Sequence, residues 1–448
     1  MGLLNDFLRY FFTIFVLFGY NFFINNKELT SPAVLFSFSF VVLMIFAFIN
    51  YSDLGLYSLN WRTSFVIIIG ILSFMLGTLP FVKMTNRISF FFNEEKGVRI
   101  NQKVSVNKLL IFLLFGFFIL ILNTKYLGIS TENYSSILGD IRDSTVNSGS
   151  GVLPKYLVFS NMIMLMGGIF FSIELPRFFI EKDYIKVFLS LVIFLLSILI
   201  SFSGGSRGSS LILIISLIFN SILESYKNNK LRKIKISSII KVFLIIIVLL
   251  YLFKESAVIL GQTQVADFSF SRYILLYVGA QLKNLDMALT YQNIINSSNV
   301  FGQETFRSFV KFFSNLIGSG LYGDYKLFLP FNYYNGISLG NVYTTFYPFL
   351  RDFGYFGVII CSMLMGVISE YLYYLAKKFN SWNDGVSIWN ILLSWSSFCL
   401  LFSFFSNKFY ENIFSLDILN YIVASIVVLI FFFGFPLTRT GKLRRLFF

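Results

Sequence analysis

Arg207 lies in a glycine-rich turn, Ser203-Gly204-Gly205-Ser206-Arg207-Gly208, between the apolar stretches 185–202 and 209–223. A guanidinium fork matches phosphate oxygens, glycines let backbone N–H groups form an anion-binding nest, and the following helix brings the positive end of its dipole to the same place. Ser206, Ser209 and Ser210 add hydroxyl donors or caps. This chemistry suits a lipid-linked phosphate. The bland alternative is an interfacial arginine that snorkels beside an ordinary tight hairpin.

A second constellation runs from Gly340 through Asn341, Tyr343, Pro348, Arg351, Asp352 and Gly354 to Gly357, and leads directly into the apolar run 353–375. Arg351 offers a phosphate ligand and Asp352 a carboxylate base, with Asp324 and Glu304 in reserve. An N-cap at Asp352, close helix packing at Gly354 and Gly357, and a chain path fixed by Pro348 explain the same residues without chemistry. The tyrosines and asparagines of 322–347 fit either a sugar-binding surface, with aromatic faces on pyranose C–H faces, or an interfacial aromatic belt.

The elements that must position these residues are membrane helices. Of 448 residues, 56% are hydrophobic and 13% charged, and the mean hydropathy is +0.75, values that exclude a water-soluble globule for most of the length. Apolar runs long enough for a hydrocarbon core of about 30 Å occur near 7–24, 32–50, 64–82, 107–123, 155–173, 185–202, 209–223, 238–255, 353–375, 387–405 and 416–436. The expected fold is all-α: a polytopic bundle of about eleven spans, ten to twelve at the limits, forming one transmembrane domain over 1–448. A signal-peptide reading of 7–24 is weaker, because no small-residue cleavage site follows.

The net charge of +14 reports topology rather than nucleic-acid binding. Lys83, Arg87, Lys96, Arg99, Lys103 and Lys108 fall in one connection, Lys227, Lys230, Arg232, Lys233, Lys235 and Lys241 in another, and Arg439, Lys442, Arg444 and Arg445 in the tail. The positive-inside rule assigns all three to the cytoplasm. The turn at 203–208 and the long segment 256–352 then face outward, and parity puts the N-terminus outside. Within the long segment, 268–292 reads as an amphipathic helix, a lid or a brace, and the stretch after Gly318 as loop. The absence of histidine removes the commonest general base and metal ligand, and Cys361 and Cys399 inside spans read as packing residues.

Gly204-Gly205-Ser206-Arg207-Gly208-Ser209 ahead of a span, then a long outward loop, then Asn341-Val342-Tyr343-Thr344-Thr345-Phe346 with Asp352-Phe353-Gly354-Tyr355-Phe356-Gly357, resembles the Wzy-type oligosaccharide repeat-unit polymerases of O-antigen and capsule assembly. The resemblance implies a GT-C-like, metal-independent membrane glycosyltransferase without cofactors, on the outer face of the bacterial cytoplasmic membrane. Its substrates would be undecaprenyl-diphosphate-linked oligosaccharides, its surroundings the lipid bilayer, and its pathway partners a flippase and a chain-length regulator. The family's arginine maps to Arg207 and its Asp-x-Gly-x-x-Gly entry to Asp352, Gly354 and Gly357. The combined expectation makes Arg207, Asp352 and Arg351 catalytic, and assigns substrate binding to Gly204, Gly205, Ser206, Arg272, Arg307, Asn341 and Tyr343.

Other classes fit less well. A flippase predicts two related halves, short outward loops and charges inside spans, features this reading does not find. A polymer ligase or a multispanning acyltransferase needs a histidine. A purely structural membrane protein is the remaining alternative.

Overall fold

The computed structural model describes residues 2–56, 59–87, 104–128, 153–203, 207–227, 251, 254–255, 269–292, 294–317, 329–378 and 386–434. Helices dominate: α1 Gly2–Ile24, α2 Pro32–Ile49, α3 Trp61–Arg87, α4 Val106–Tyr126, α5 Lys155–Glu181, α6 Tyr184–Ser203, α7 Arg207–Lys227, α8 Phe270–Val278, α9 Ala280–Tyr291 and α10 Arg307–Ile317. A hairpin of β1 Asn332–Tyr334 and β2 Ile337–Gly340 follows, then α11 Phe346–Lys378, α12 Ile388–Leu401, α13 Lys408–Asn412 and α14 Ile418–Phe433. Among the described residues, eight helices (α1–α7 and α11) are long and apolar enough to cross a membrane, and α12 and α14 are shorter apolar helices. The chain is a multi-pass membrane protein. The expected span 238–255 lies outside the described residues except for 251 and 254–255.

The chain groups into two compact units: Met1–Ile88, Ser269–Tyr374 and Cys399–Ile418 in the first, and Ser89–Phe268, Leu375–Phe398 and Leu419–Phe448 in the second. In the second unit small residues bring helices close. A β-carbon at Gly116 would meet Leu196 at 2.5 Å, and one at Gly168 would meet Leu213 at 2.6 Å. Buried polar side chains satisfy each other, Asn220 donating to Ser172 Oγ at 2.9 Å and Ser394 donating to Asn220 Oδ1 at 3.0 Å. One expectation changes here: buried charges do occur inside helices, with Glu174 on α5 and Glu224 on α7 buried in this unit, and Glu370 on α11 in the first. Their flanking runs are apolar enough to mask them in a hydropathy reading.

In the first unit, contacts sort the connections to two ends. At one end Asn86 donates to Ile24 O at 3.1 Å and the Tyr373 hydroxyl donates to Glu28 Oε2 at 2.8 Å. At the other, Asn60 N and Thr63 Oγ1 donate to Asp286 Oδ1 at 2.8 and 2.9 Å, and Lys283 Nζ donates to Gly55 O at 3.1 Å. This second end carries the 269–345 segment, the expected outer side. The helix expected over 268–292 is broken at Gly279 into α8 and α9, and α9 is buried nearly all round rather than amphipathic. Lys283 and Asp286 bind Gly55, Asn60 and Thr63, and Asn284 binds the backbone of Leu339 and Val342, so α9 serves as a brace.

The stretch before the span 353–375 also differs from expectation. Gly354 has φ +63 and ψ −152, a conformation open only to glycine, and α11 is two helices meeting there. A β-carbon at Gly357 would fall 2.5 Å from Phe349 O, so residues 346–353 fold back along the start of the span. Phe346 stacks on Phe40 with ring centroids 5.1 Å apart and lies against Gly70 of α3. Gly70 is roughly 10 Å along α3 from Thr63 at the helical rise. The segment therefore enters the bundle, rises to Asp352 and turns, after which 355–378, about 36 Å long, crosses alone. Re-entrant backbone is tolerated at such depth only when protein covers it, and residues 343–350 are all buried.

Candidate functional site

The reversal at Gly354 turns Asp352 away from its own helix. Its carboxylate accepts from Ser298 Oγ at 2.5 Å, from Glu304 N at 3.0 and 3.2 Å, and from Thr305 N at 2.6 Å. It thus ties down the turn before α10 instead of capping the span, a correction to the N-cap expectation. Donors occupy both oxygens, so Asp352 braces the loop rather than standing open to a substrate hydroxyl. The last carbonyls of the short helix are satisfied too, Leu350 O by Asn296 N at 3.0 Å and Arg351 O by Ser298 N at 3.1 Å.

That turn delivers Glu304 to Arg351. Arg351 Nη1 lies 3.0 Å from Glu304 Oε1, and Arg307 Nη2 lies 2.7 Å from Glu304 Oε2. One carboxylate with 2% of its side chain exposed holds two guanidiniums that are 29% and 22% exposed. With Asp352 bound to the backbone of Glu304 and Thr305, two carboxylates balance the two arginines, whose side chains stay partly accessible. A buried carboxylate behind paired arginines fixes their orientation, which is the preorganisation that binding a phosphoryl group needs.

Comparison with protein-family models, curated proteins and solved structures gave no match. The site therefore stands on its own geometry.

The hairpin beside it is closed by Asn335 and Gly336, with φ of 47 and 75, the pair that a tight two-residue turn requires. The Asn-Gly dipeptide carries that signal in the sequence, although the stretch reads as loop. Amides here bind one another: Asn284 Nδ2 donates to Val342 O at 2.8 Å and Leu339 O at 3.1 Å, Asn332 Nδ2 donates to Asn284 Oδ1 at 3.2 Å, and Gln292 Nε2 donates to Asn332 Oδ1 at 3.1 Å. Tyr343 is buried and donates to Pro330 O at 3.0 Å. Burial, with Tyr347 beside it, pushes its phenol above the ordinary range and keeps it a donor. Around the hairpin, Tyr291, Phe331 and Tyr333 face outward, while Tyr322 and Tyr325 lie outside the described residues.

Of the expected site residues, the structure thus brings Arg307, Arg351 and Asp352 together through Glu304, Ser298 and Thr305. Asn341 is half-buried after β2, and Arg272 is exposed on α8. Arg207 opens α7 in the other unit, its side chain outside the described residues, as are Gly204, Gly205 and Ser206. A recess of about 400 Å³ in that second unit, lined by Leu175, Phe179, Leu191, Leu217 and Glu224, is mostly apolar and offers no comparable donor set. Metal-ligand clusters do not occur among the described residues. Glu304 was legible only as a reserve base, because its partner Arg351 is remote in sequence and leaves no local signature.

Proposed function

We propose that the chain is a GT-C-like membrane glycosyltransferase that joins undecaprenyl-diphosphate-linked oligosaccharide repeat units into O-antigen or capsular polysaccharide. It would act on the outer face of a bacterial cytoplasmic membrane, with its C-terminus inside. What supports this reading is the pair of partly exposed arginine side chains held on Glu304, at the end of a span expected to face outward. In the reaction the bond from the anomeric carbon to the diphosphate breaks, its electron pair moves to the phosphate oxygen, and the acceptor hydroxyl forms the new bond as its proton passes to the departing diphosphate. The state between is oxocarbenium-like. Arg351 and Arg307 stabilise the charge that develops on the diphosphate, Glu304 holds them, and Asp352 holds Glu304. Arg207, at the N-terminus of α7 in the second unit, is proposed separately as a ligand for the lipid-linked phosphate.

Purified protein given lipid-diphosphate-linked repeat units tests this directly. Arg207→Ala should abolish polymer and Arg351→Ala should lower it by about 100-fold, each leaving a folded protein, and normal polymer length in both would sink the reading. A flippase remains the second reading, favoured by the buried Glu174, Glu224 and Glu370 inside helices. Deletion in the source cell separates the two: loss of a polymerase leaves single units displayed outside, and loss of a flippase traps them inside.

A further inference from the structure

Helix α10, Arg307-Ser-Phe-Val-Lys-Phe-Phe-Ser-Asn-Leu-Ile317, divides sharply by face. At 100° per residue, Phe309, Phe312, Phe313, Leu316 and Ile317 share one side, and Arg307, Lys311 and Ser314 the other. A water-soluble helix would turn the first side inward. Here Ser314 is buried and Arg307 binds Glu304, while Phe312, Phe313, Leu316 and Ile317 are 49%, 52%, 71% and 72% exposed. Phe301, at the turn before the helix, is 82% exposed. So large an outward apolar patch needs an occupant.

The contacts of α10 fix its height. Phe306, just before it, lies 6.1 Å from Phe353 and 5.7 Å from Phe414, ring to ring, and Phe353 adjoins Gly354, where the span 355–378 begins. The start of α10 is therefore level with one end of a membrane-crossing helix, the end expected to face outward. At that level an apolar helix face turned away from the protein meets acyl chains.

We propose that α10 is an interfacial helix of the outer leaflet, with Phe312, Phe313, Leu316 and Ile317 inserted among acyl chains, and that it holds the Arg307–Glu304–Arg351 cluster at the height of lipid phosphates. A lipid-borne diphosphate then reaches the arginines by lateral diffusion, without leaving the membrane. The diphosphate as cargo rests on the proposed function; the placement of the helix does not. Single spin labels at Phe313→Cys, Leu316→Cys and Lys311→Cys, in full-length protein whose buried Cys361 and Cys399 are replaced by alanine, test the placement in phosphatidylethanolamine–phosphatidylglycerol nanodiscs. Labels at 313 and 316 should be relaxed more by oxygen than by a water-soluble nickel chelate, and the label at 311 the reverse. Nickel-chelating headgroup lipids should relax 311 strongly. Equal access of the soluble chelate to all three positions would put the helix in water. Access of neither reagent to 313 and 316 would mean that protein, such as a second copy of the chain, covers the face. Either result overturns the proposal. A retained melting transition in each labelled variant shows that the fold is intact, and a positive depth result with an inactive enzyme would count against the reaction alone.

Discussion

Two carboxylate clusters at the same end of the first unit have opposite characters. Lys283 and Asp286 are paired one to one at 3.7 Å, each side chain 5% exposed, and their remaining valences are filled by Gly55 O, Asn60 N and Thr63 Oγ1, with the Tyr334 ring 4.4 Å from the ammonium. Glu304 instead serves two arginines, whose side chains are 29% and 22% exposed. Balanced charge with all donors absorbed makes a strut between α9 and the 55–63 connection. Two partly accessible arginines oriented on one carboxylate offer an anion a place to bind. The identities of the residues are nearly the same in the two clusters; stoichiometry and exposure separate them.

The largest effect that would break this contrast is on activity. Arg351→Ala should lower chain transfer by about 100-fold, the cost of removing one preorganised donor from developing charge, measured as polymer formed per folded protein. Glu304→Gln should fall between wild type and Arg351→Ala, because the arginines stay but lose their anchor. The strut should respond differently. If a folded Lys283→Met variant loses as much activity as Arg351→Ala, the two clusters are not functionally distinct.

Asp286→Ala should cost about 3–5 kcal/mol of stability, because it strands a buried ammonium. Replacing both partners, Lys283→Met with Asp286→Leu, should recover most of that loss in detergent-solubilised melting. A double replacement as damaging as Asp286→Ala would show that the strut's hydrogen bonds, not its charge balance, carry the stability.

The helices were legible because lipid demands long apolar runs, and nearly every expected span lies on a helix. The Asp352–Gly354 segment was legible only as a motif. Its fold-back depends on Gly354 adopting positive φ and on Asn296 and Ser298 capping Leu350 and Arg351 from a distant loop, contacts that leave no period in the sequence. The polar character of α9 likewise misled: Lys283 and Asp286 look solvent-facing until the 55–63 connection covers them. The exposed apolar side of α10 was not anticipated, because its sequence does not say which face meets the protein.

Gly354→Ala sharpens the comparison at the site's support. A β-carbon there would meet Asn296 Oδ1 at 3.0 Å, and the backbone would hold alanine at φ +63, a strain of about 1–3 kcal/mol. The site should suffer more than the fold, since relaxation of the reversal moves Arg351 and Asp352 together while the strut is untouched. The check is a fall in chain transfer that exceeds what the change in melting predicts. Equal losses would mean that the reversal only stabilises.

The smallest effect is a pH dependence confined to the strut. Burial lowers the pKa of Lys283 from the ordinary 10.5, with Asp286 opposing the shift. In the window just below 10.5 the unfolded chain therefore binds more protons than the folded one, so this residue makes stability rise with pH there. The buried phenol of Tyr343 acts in the opposite sense above pH 10, where the unfolded phenol ionises first. The Lys283 contribution is thus best read on the approach to pH 10. Wild type should gain melting temperature relative to the Lys283→Met, Asp286→Leu variant over that range. Parallel profiles would mean that the ammonium keeps its ordinary affinity for the proton, and that the strut is no more desolvated than the arginines on Glu304.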